Sequence, residues 1–364
     1  MDESFLQDSF DLVIVGAGPA GSSSARVAAQ KGLKVLLLDQ RERIGYPVQC
    51  AELVSQWISH HLPFRLSSIV QPIESILLHF PDGMVSTMRS PGFLLDRSLF
   101  DRELVLSALQ AGAKLLIGAK ALSRTPEGIK IRWKGKEGRV KAKVIIGADG
   151  VHSTVRRWSP KPSLRKLSGL QYEIVLFEPQ SYGEIFFHPD YEGGYGWFFP
   201  KGRVANVGIG VVRLKGTSLK ELLHTFLDRL KKEKRLPRIE ILSQTGGSIP
   251  CEPHPQIVFD NTLLVGDAGG HCHPITGAGI LNAVMGGEMA GSIAAKAILG
   301  NDLQSLKIYE SEWEAFIGKS LQYGALKRIE LERKWNQSGV DFQGLIKESW
   351  VGFKEYYQVR REDR

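Results

Sequence analysis

The sequence predicts an α/β protein: a Rossmann-like parallel sheet that binds a dinucleotide, an inserted antiparallel sheet, and C-terminal helices. Three observations carry the prediction. In residues 11–39, DLVIVGAGPAGSSSARVAAQKGLKVLLLD, an apolar strand breaks into a G-x-G-x-x-G turn, a helix of small residues and a second strand ending in an acid. Apolar runs ending in glycine return at 144–150 and 262–270, as expected for further strands of the same sheet. Between them, residues 165–215 alternate in strand fashion and are rich in aromatics.

Each glycine of the first turn has its own task. Gly16 permits the tight turn, Gly18 lets a pyrophosphate approach the backbone, and Gly21 lets helix and strand pack closely. The helix start offers free N–H groups and a positive dipole end to the phosphates. Asp39 stands where a carboxylate accepts hydrogen bonds from ribose hydroxyls. This unit alone does not separate NAD from FAD.

After Asp39, residues 41–55 read as a loop over the cofactor that leads into a short helix. Residues 73–95 read as antiparallel strands around Pro81, Asp82 and Gly83. Residues 96–111 are helical, capped by Asp96, with Leu99, Phe100, Leu104 and Ala108 inward and Arg97 in the first turn. Asp149 and Gly150 end a buried strand, where ligands bind in open parallel sheets. Residues 218–232 form an amphipathic helix. Residues 262–280 then supply a second carboxylate, Asp267, and a second glycine-rich helix start near Gly277, Gly279 and Ile280. FAD needs both, because its ribitol and flavin ring must be held as well as its adenosine, and a helix start stabilises negative charge on a reduced flavin. From Leu303 to Leu321 apolar residues recur at helical spacing, which predicts a docking helix. The domains expected are an FAD-binding domain of 1–70, 96–164 and 255–300, a substrate domain of 71–95 and 165–254, and a helical segment of 301–364.

A chain of 364 residues with 43% apolar and 24% charged residues is a globular protein of about two domains. Cys50, Cys251 and Cys272 form no C-x-x-C pair, and MDESFLQDSFD lacks the pattern of a secretory signal, so a cytoplasmic setting is expected. Residues 278–299 carry Glu288 and Lys296 and read as a core helix rather than a membrane span. The net charge of +8 is concentrated between Lys114 and Lys166, with 15 Lys plus Arg against 3 Asp plus Glu. That stretch reads as a hairpin edge guarded by lysines, with peripheral attraction to an anionic membrane surface or a phosphorylated substrate as the alternative. No motif points to nucleic acid. The run His271, Cys272, His273, with Cys251 and His254 upstream, is a poor zinc site, since consecutive residues do not converge on one tetrahedral ion.

The chain resembles the geranylgeranyl reductase family, within the p-hydroxybenzoate hydroxylase-like flavoproteins. The superfamily likeness rests on GAGPAG with Asp39, on GADG at 147–150, and on GDAGG with Pro274, Gly277 and Gly279; the family likeness rests on YGWFFPKGRVANVGIG, PVQCAELVS and LDRSLFDREL. The resemblance implies reduction of isolated double bonds in a prenyl chain on a lipid or quinone, with FAD as cofactor and NAD(P)H or another reductant as donor. It implies cofactor contacts from Gly16, Gly18, Ala20, Gly21, Asp39, Gln40, Arg97, Asp149, Gly150, Asp267, Pro274, Gly277, Gly279 and Ile280. It places Cys50 beside the flavin as the catalytic candidate, with positioning or a buried structural thiol as alternatives. Tyr195 and Trp197, two apart on a strand, share a face expected to line the substrate cavity with Phe199, whereas Lys201 reads equally as a turn residue or a phosphate contact. A flavin monooxygenase or halogenase on the same scaffold, and a non-catalytic prenyl-lipid carrier, are the competing functions.

Overall fold

The computed structural model describes residues 9–62 and 67–358. The residues of the expected signal-free N-terminus before Ser9 lie outside that range, as do the last six of the helical segment. The elements in chain order are β1 (Ser9–Val15), α1 (Pro19–Gln30), β2 (Val35–Asp39), β3 (Leu53–Ser55), β4 (Ile69–His79), β5 (Val85–Leu95), α2 (Arg97–Gln110), β6 (Lys114–Ile117), β7 (Ala119–Thr125), β8 (Gly128–Trp133) and β9 (Lys136–Gly147). They continue with β10 (Lys166–Val175), β11 (Gly183–Phe186), β12 (Tyr195–Lys201), β13 (Val204–Val211), α3 (Leu219–Lys232), β14 (Ile241–Pro250), β15 (Val258–Phe259), β16 (Thr262–Leu264), α4 (Ile280–Leu299), α5 (Ile308–Trp313), α6 (Lys319–Lys334) and α7 (Phe342–Ser349).

Two sheets organise the chain. The first runs β15-β16-β9-β1-β2-β6, with β8 and β7 extending from β9. β1 pairs in parallel with β2 and β9, and β16 pairs in parallel with β9. The strands β1 and β2 are continuous apolar runs because helices cover both faces, and nearly every residue in them is buried. The second sheet runs β14-β10-β13-β12-β11-β4-β5-β3 and is antiparallel except where β11 meets β4. The strand β3, from the loop expected over the cofactor, pairs with β5 in this second sheet. It does so because Gly92 allows the approach: a Cβ there would lie 2.3 Å from the Val54 carbonyl oxygen.

The inferred helices form, α2 with its expected cap and α3 with one the sequence reading had not named. Asp96 accepts from the Leu99 amide at the start of α2, and Ser218 and Glu221 build a capping box at the start of α3. The apolar side of α3 packs under the second sheet, where Phe226 meets Phe186 edge to face. The docking helix from Leu303 runs without a break to Lys334: a 3₁₀ turn over Leu303–Lys307 leads into α5, and a π turn over Glu314–Gly318 joins α5 to α6 with helical backbone at each junction. The basic hairpin β8–β9 forms, and part of its charge is met locally: Lys130 and Arg132 bind Glu137, Lys141 binds Glu127, and Lys143 binds Asp11. Among the described residues no helix is long and apolar enough to cross a membrane.

Candidate active site

The site lies where the ends of β1, β2, β9 and β16 face the second sheet. Gly16 adopts φ +104°, and a Cβ there would lie 2.3 Å from the Ala148 carbonyl oxygen. A Cβ on Gly21 would lie 1.9 Å from the Gly16 carbonyl oxygen, so glycine is imposed at both positions by backbone contact. Gly18 differs: nothing lies within 4 Å of its Cβ position. It caps α1 without any side-chain hydrogen bond, leaving amides open to a diphosphate. Ala20 is buried between α1 and α4, where Gly266 and Gly287 approach it. Asp39 is 3% exposed and accepts from the Ala17 amide at 2.9 Å and from the Arg41 amide and guanidinium at 2.8 to 3.0 Å. These contacts overcome the opposing effect of burial and hold its pKa below the usual range. Arg41 is its more exposed partner. Gln40 follows on the exposed surface.

The second cradle is built by 266–280. Gly279 caps α4, again with no side-chain cap, and its Cβ position is 3.3 Å from Cys272 Sγ and 3.6 Å from Asp267 Oδ1. The Asp267 carboxylate receives no hydrogen bond from the described residues, and burial raises its pKa against the pull of Arg97 and Arg156. A desolvated carboxylate without donors, next to an uncapped helix start, fits the hydroxyls of a ribitol chain. Asp149, by contrast, turns its carboxylate onto its own turn, accepting from Ser153 Oγ and the Thr154 and Val155 amides. Gly150, at φ +76°, leaves open space beside it. Ile280 packs in one apolar cluster with Val54 and Phe100, against which Cys50 rests.

Cys50 and the aromatic strand are joined by a hydrogen-bonded chain. Trp197 Nε1 donates to Gln171 Oε1 at 3.1 Å, and Gln171 Nε2 donates to the Cys50 carbonyl at 2.9 Å. Trp197 lies opposite Gly208 in β13, whose Cβ would fall 2.4 Å from the indole, and Gly169 and Gly210 are its other floor. That is the physical content of the N-V-G-x-G stretch. Tyr195 and Trp197 share one face with Phe199, in a cluster with Ile275 and Trp350. The Tyr195 hydroxyl donates to the Thr276 carbonyl, so the strand is tied to the second cradle. Burial pushes the Cys50 thiol above its usual pKa, with Arg97 opposing, so the sulfur holds its proton at neutral pH. Arg97 itself binds Asp101 through Nε at 3.0 Å, and the Asp101 charge outweighs burial to keep it cationic.

Three residues absent from the expected set hold this arrangement. Glu52, 2% exposed, accepts from the Arg97 amide at 2.8 Å, Lys201 Nζ at 2.6 Å and Asn206 Nδ2 at 2.8 Å. Lys201, the last residue of β12 before the turn, is therefore held in a largely buried ion pair. Arg328 of α6, 1% exposed, donates to the carbonyls of Pro274 and Gly193, locking the second cradle to the turn before β12. Arg328 had no sequence signal, since it is one charged residue among many; Glu52 had one in PVQCAELVS and Asn206 one in the N-V-G-x-G stretch. His271 stacks on Trp313 at 3.8 Å and its Nδ1 accepts from the Gly266 amide, a structural task within the cradle.

Residues 167–249 match the geranylgeranyl reductase catalytic domain, and residues 14–67 match the NAD(P)-binding Rossmann-like domain. The digeranylgeranylglycerophospholipid reductase of Methanothrix thermoacetophila is 36% identical over 85% of this chain and 84% of its own. The chain belongs to the geranylgeranyl reductase family. As a geranylgeranyl reductase-family protein it is an FAD-binding oxidoreductase, and its fold follows that of a geranylgeranyl bacteriochlorophyll reductase-like protein from Thermoplasma acidophilum, with a TM-score of 0.83, 27% identity and coverage of 95% of this chain and 92% of the other. A flavin-dependent brominase, Bmp2, in a triple-mutant form, shares the fold at a TM-score of 0.72 and 18% identity, covering 95% of this chain and 96% of its own. That likeness extends to architecture alone.

Proposed function

We propose that this reductase saturates the isolated double bonds of geranylgeranyl chains carried on a glycerophospholipid, drawing electrons from NAD(P)H or another reductant. The observation that carries the reading is the hydrogen-bonded chain from Trp197 through Gln171 to the Cys50 backbone, which ties the aromatic strand to a loop whose protonated thiol packs against Ile280 at the start of α4. When bound and reduced, FAD supplies hydride. The α1 start and Asp39 would hold its adenosine half, and Asp267 with the α4 start its ribitol and flavin.

An unactivated alkene is a poor hydride acceptor, so the protein must present a proton at the other carbon. Cys50 is our candidate donor. Its raised pKa keeps the proton on sulfur, and the cationic Arg97 nearby stabilises the thiolate left after transfer. Tyr195, Trp197 and Phe199 hold the prenyl chain and exclude water; the Tyr195 hydroxyl is already committed to Thr276 and so acts as a wall. Lys201 and Glu52 brace the Cys50 loop without touching substrate.

Anaerobic incubation with dithionite and a digeranylgeranyl glycerophospholipid, followed by mass spectrometry, tests the reading. Products heavier by two hydrogens per reduced bond are expected. Reduced flavin without any such product would refute it. Cys50→Ala should lower turnover at least about a hundredfold, within the range of a lost general acid, and unchanged turnover would remove Cys50 from the chemistry.

A further inference from the structure

The helix α6 has two working sides. Its inner side presses on the cofactor loop: a Cβ on Gly324 would lie 3.2 Å from Pro274 Cδ, and Leu331 lines a small apolar recess with Tyr195 and Trp350. Its outer side presents Leu326, Ile329 and Arg333 at i, i+3 and i+7, and the two aliphatics are 66% and 53% exposed. Beside them Arg165, just before β10, and Arg213, just after β13, converge with Ile329, Glu332, Arg333 and Asn336 on one open groove. Glu332 binds Arg165 at 2.7 Å, and Glu192 lies 3.9 Å from Arg213 and 3.4 Å from Lys215. Arg333 makes no ion pair among the described residues.

This surface differs from the basic hairpin, which was the sequence's candidate for membrane attraction. There the cations, two of them sharing Glu137, stand on strands with no exposed large apolar side chain. Here the arginines stand next to exposed branched aliphatics. Guanidinium groups level with Leu and Ile suit the boundary of a bilayer, where lipid phosphates and hydrocarbon meet. Neither a free phosphate nor a nucleic acid backbone would use the aliphatic pair.

We propose that the outer face of α6 docks the protein on an anionic glycerophospholipid bilayer, with Arg165, Arg213 and Arg333 on lipid phosphates and Leu326 and Ile329 in the hydrocarbon boundary. The docked helix then has the membrane on one side and the cofactor loop on the other. The surface does not depend on the reaction proposed above, and its test reads no activity.

The full-length, FAD-loaded protein is sedimented with phosphatidylcholine vesicles and with vesicles containing phosphatidylglycerol, at low and high salt. Preferential binding to the anionic vesicles, reversed by salt, is expected. Replacing both exposed arginines, Arg213→Ala and Arg333→Ala, should weaken partitioning about twenty-five-fold, at about fivefold per cation. Ile329→Ser should weaken it at low salt without removing its salt dependence, and Lys120→Ala in β7 with Arg139→Ala in the hairpin should leave it unchanged. Thermal unfolding of each variant establishes that it is folded. No binding by the wild type, equal binding to both vesicle types, or loss of binding in the hairpin variant with retention in the α6 variants would overturn the proposal.

Discussion

Glu52 combines a left-handed backbone, φ 68°, with a carboxylate buried among three donors. Burial works against the Lys201 charge, but Glu52 outweighs it and the lysine pKa is raised. A raised lysine pKa means that the pair's stabilisation is fully present below the unfolded value and is lost as pH climbs through the folded one, so it persists across the neutral range. Glu52→Ala leaves that ammonium only Glu173, at 3.8 Å, and strips the Arg97 and Asn206 amides of their acceptor, so it should cost about 1–3 kcal/mol in thermal or denaturant unfolding. Adding Lys201→Met should recover part of the loss, whereas equal stability of wild type and Glu52→Ala would show that the pair is not buried in solution. At the other cradle, Gly18→Ala should leave the unfolding midpoint nearly unchanged but reduce bound flavin, because the new methyl meets no protein atom. Gly21→Ala should lower both, since its Cβ would collide with the Gly16 carbonyl. Flavin absorbance per chain, set beside the melting curve, separates the two effects.

Among the elements, β12 and β13 convert a sequence pattern into a surface. Trp197 needs a floor without side chains, and Gly169, Gly208 and Gly210 provide it across two neighbouring strands. Gly208→Ala should destabilise by about 1–3 kcal/mol through overpacking and push the indole off Gln171, with a fall in kcat greater than the change in cofactor content. A fall confined to flavin content would contradict this role. The glycine turns, the capped helices and the alternation of the aromatic strand were legible because backbone conformation restricts residue type directly. The helix from Leu303 was legible in its apolar spacing, but that spacing does not register an inserted π turn. The burial of Glu52 and Arg328 was illegible for a different reason: a charge is ordinarily a surface residue, and only the meeting of a loop with a sheet, or of α6 with the cofactor loop, buries these two.

Across the whole molecule, the two sheets divide the labour. The parallel sheet presents two uncapped helix starts and two carboxylates on one side of the cleft, while the antiparallel sheet presents an aromatic face braced to Cys50. Residues from remote segments of the chain are brought together there, and α6 clamps the junction through Arg328. The pH dependence of turnover follows from the thiol: since the Cys50 pKa is raised, turnover should hold through neutrality and decline only above the ordinary thiol range, and Cys50→Ser should lose that alkaline limb. The most direct test of the assembled site is an anaerobic single-turnover experiment on the reduced enzyme. Adding a digeranylgeranyl glycerophospholipid should reoxidise the flavin in step with formation of saturated product, more slowly in Cys50→Ser. Flavin that stays reduced in the presence of bound lipid would contradict the account.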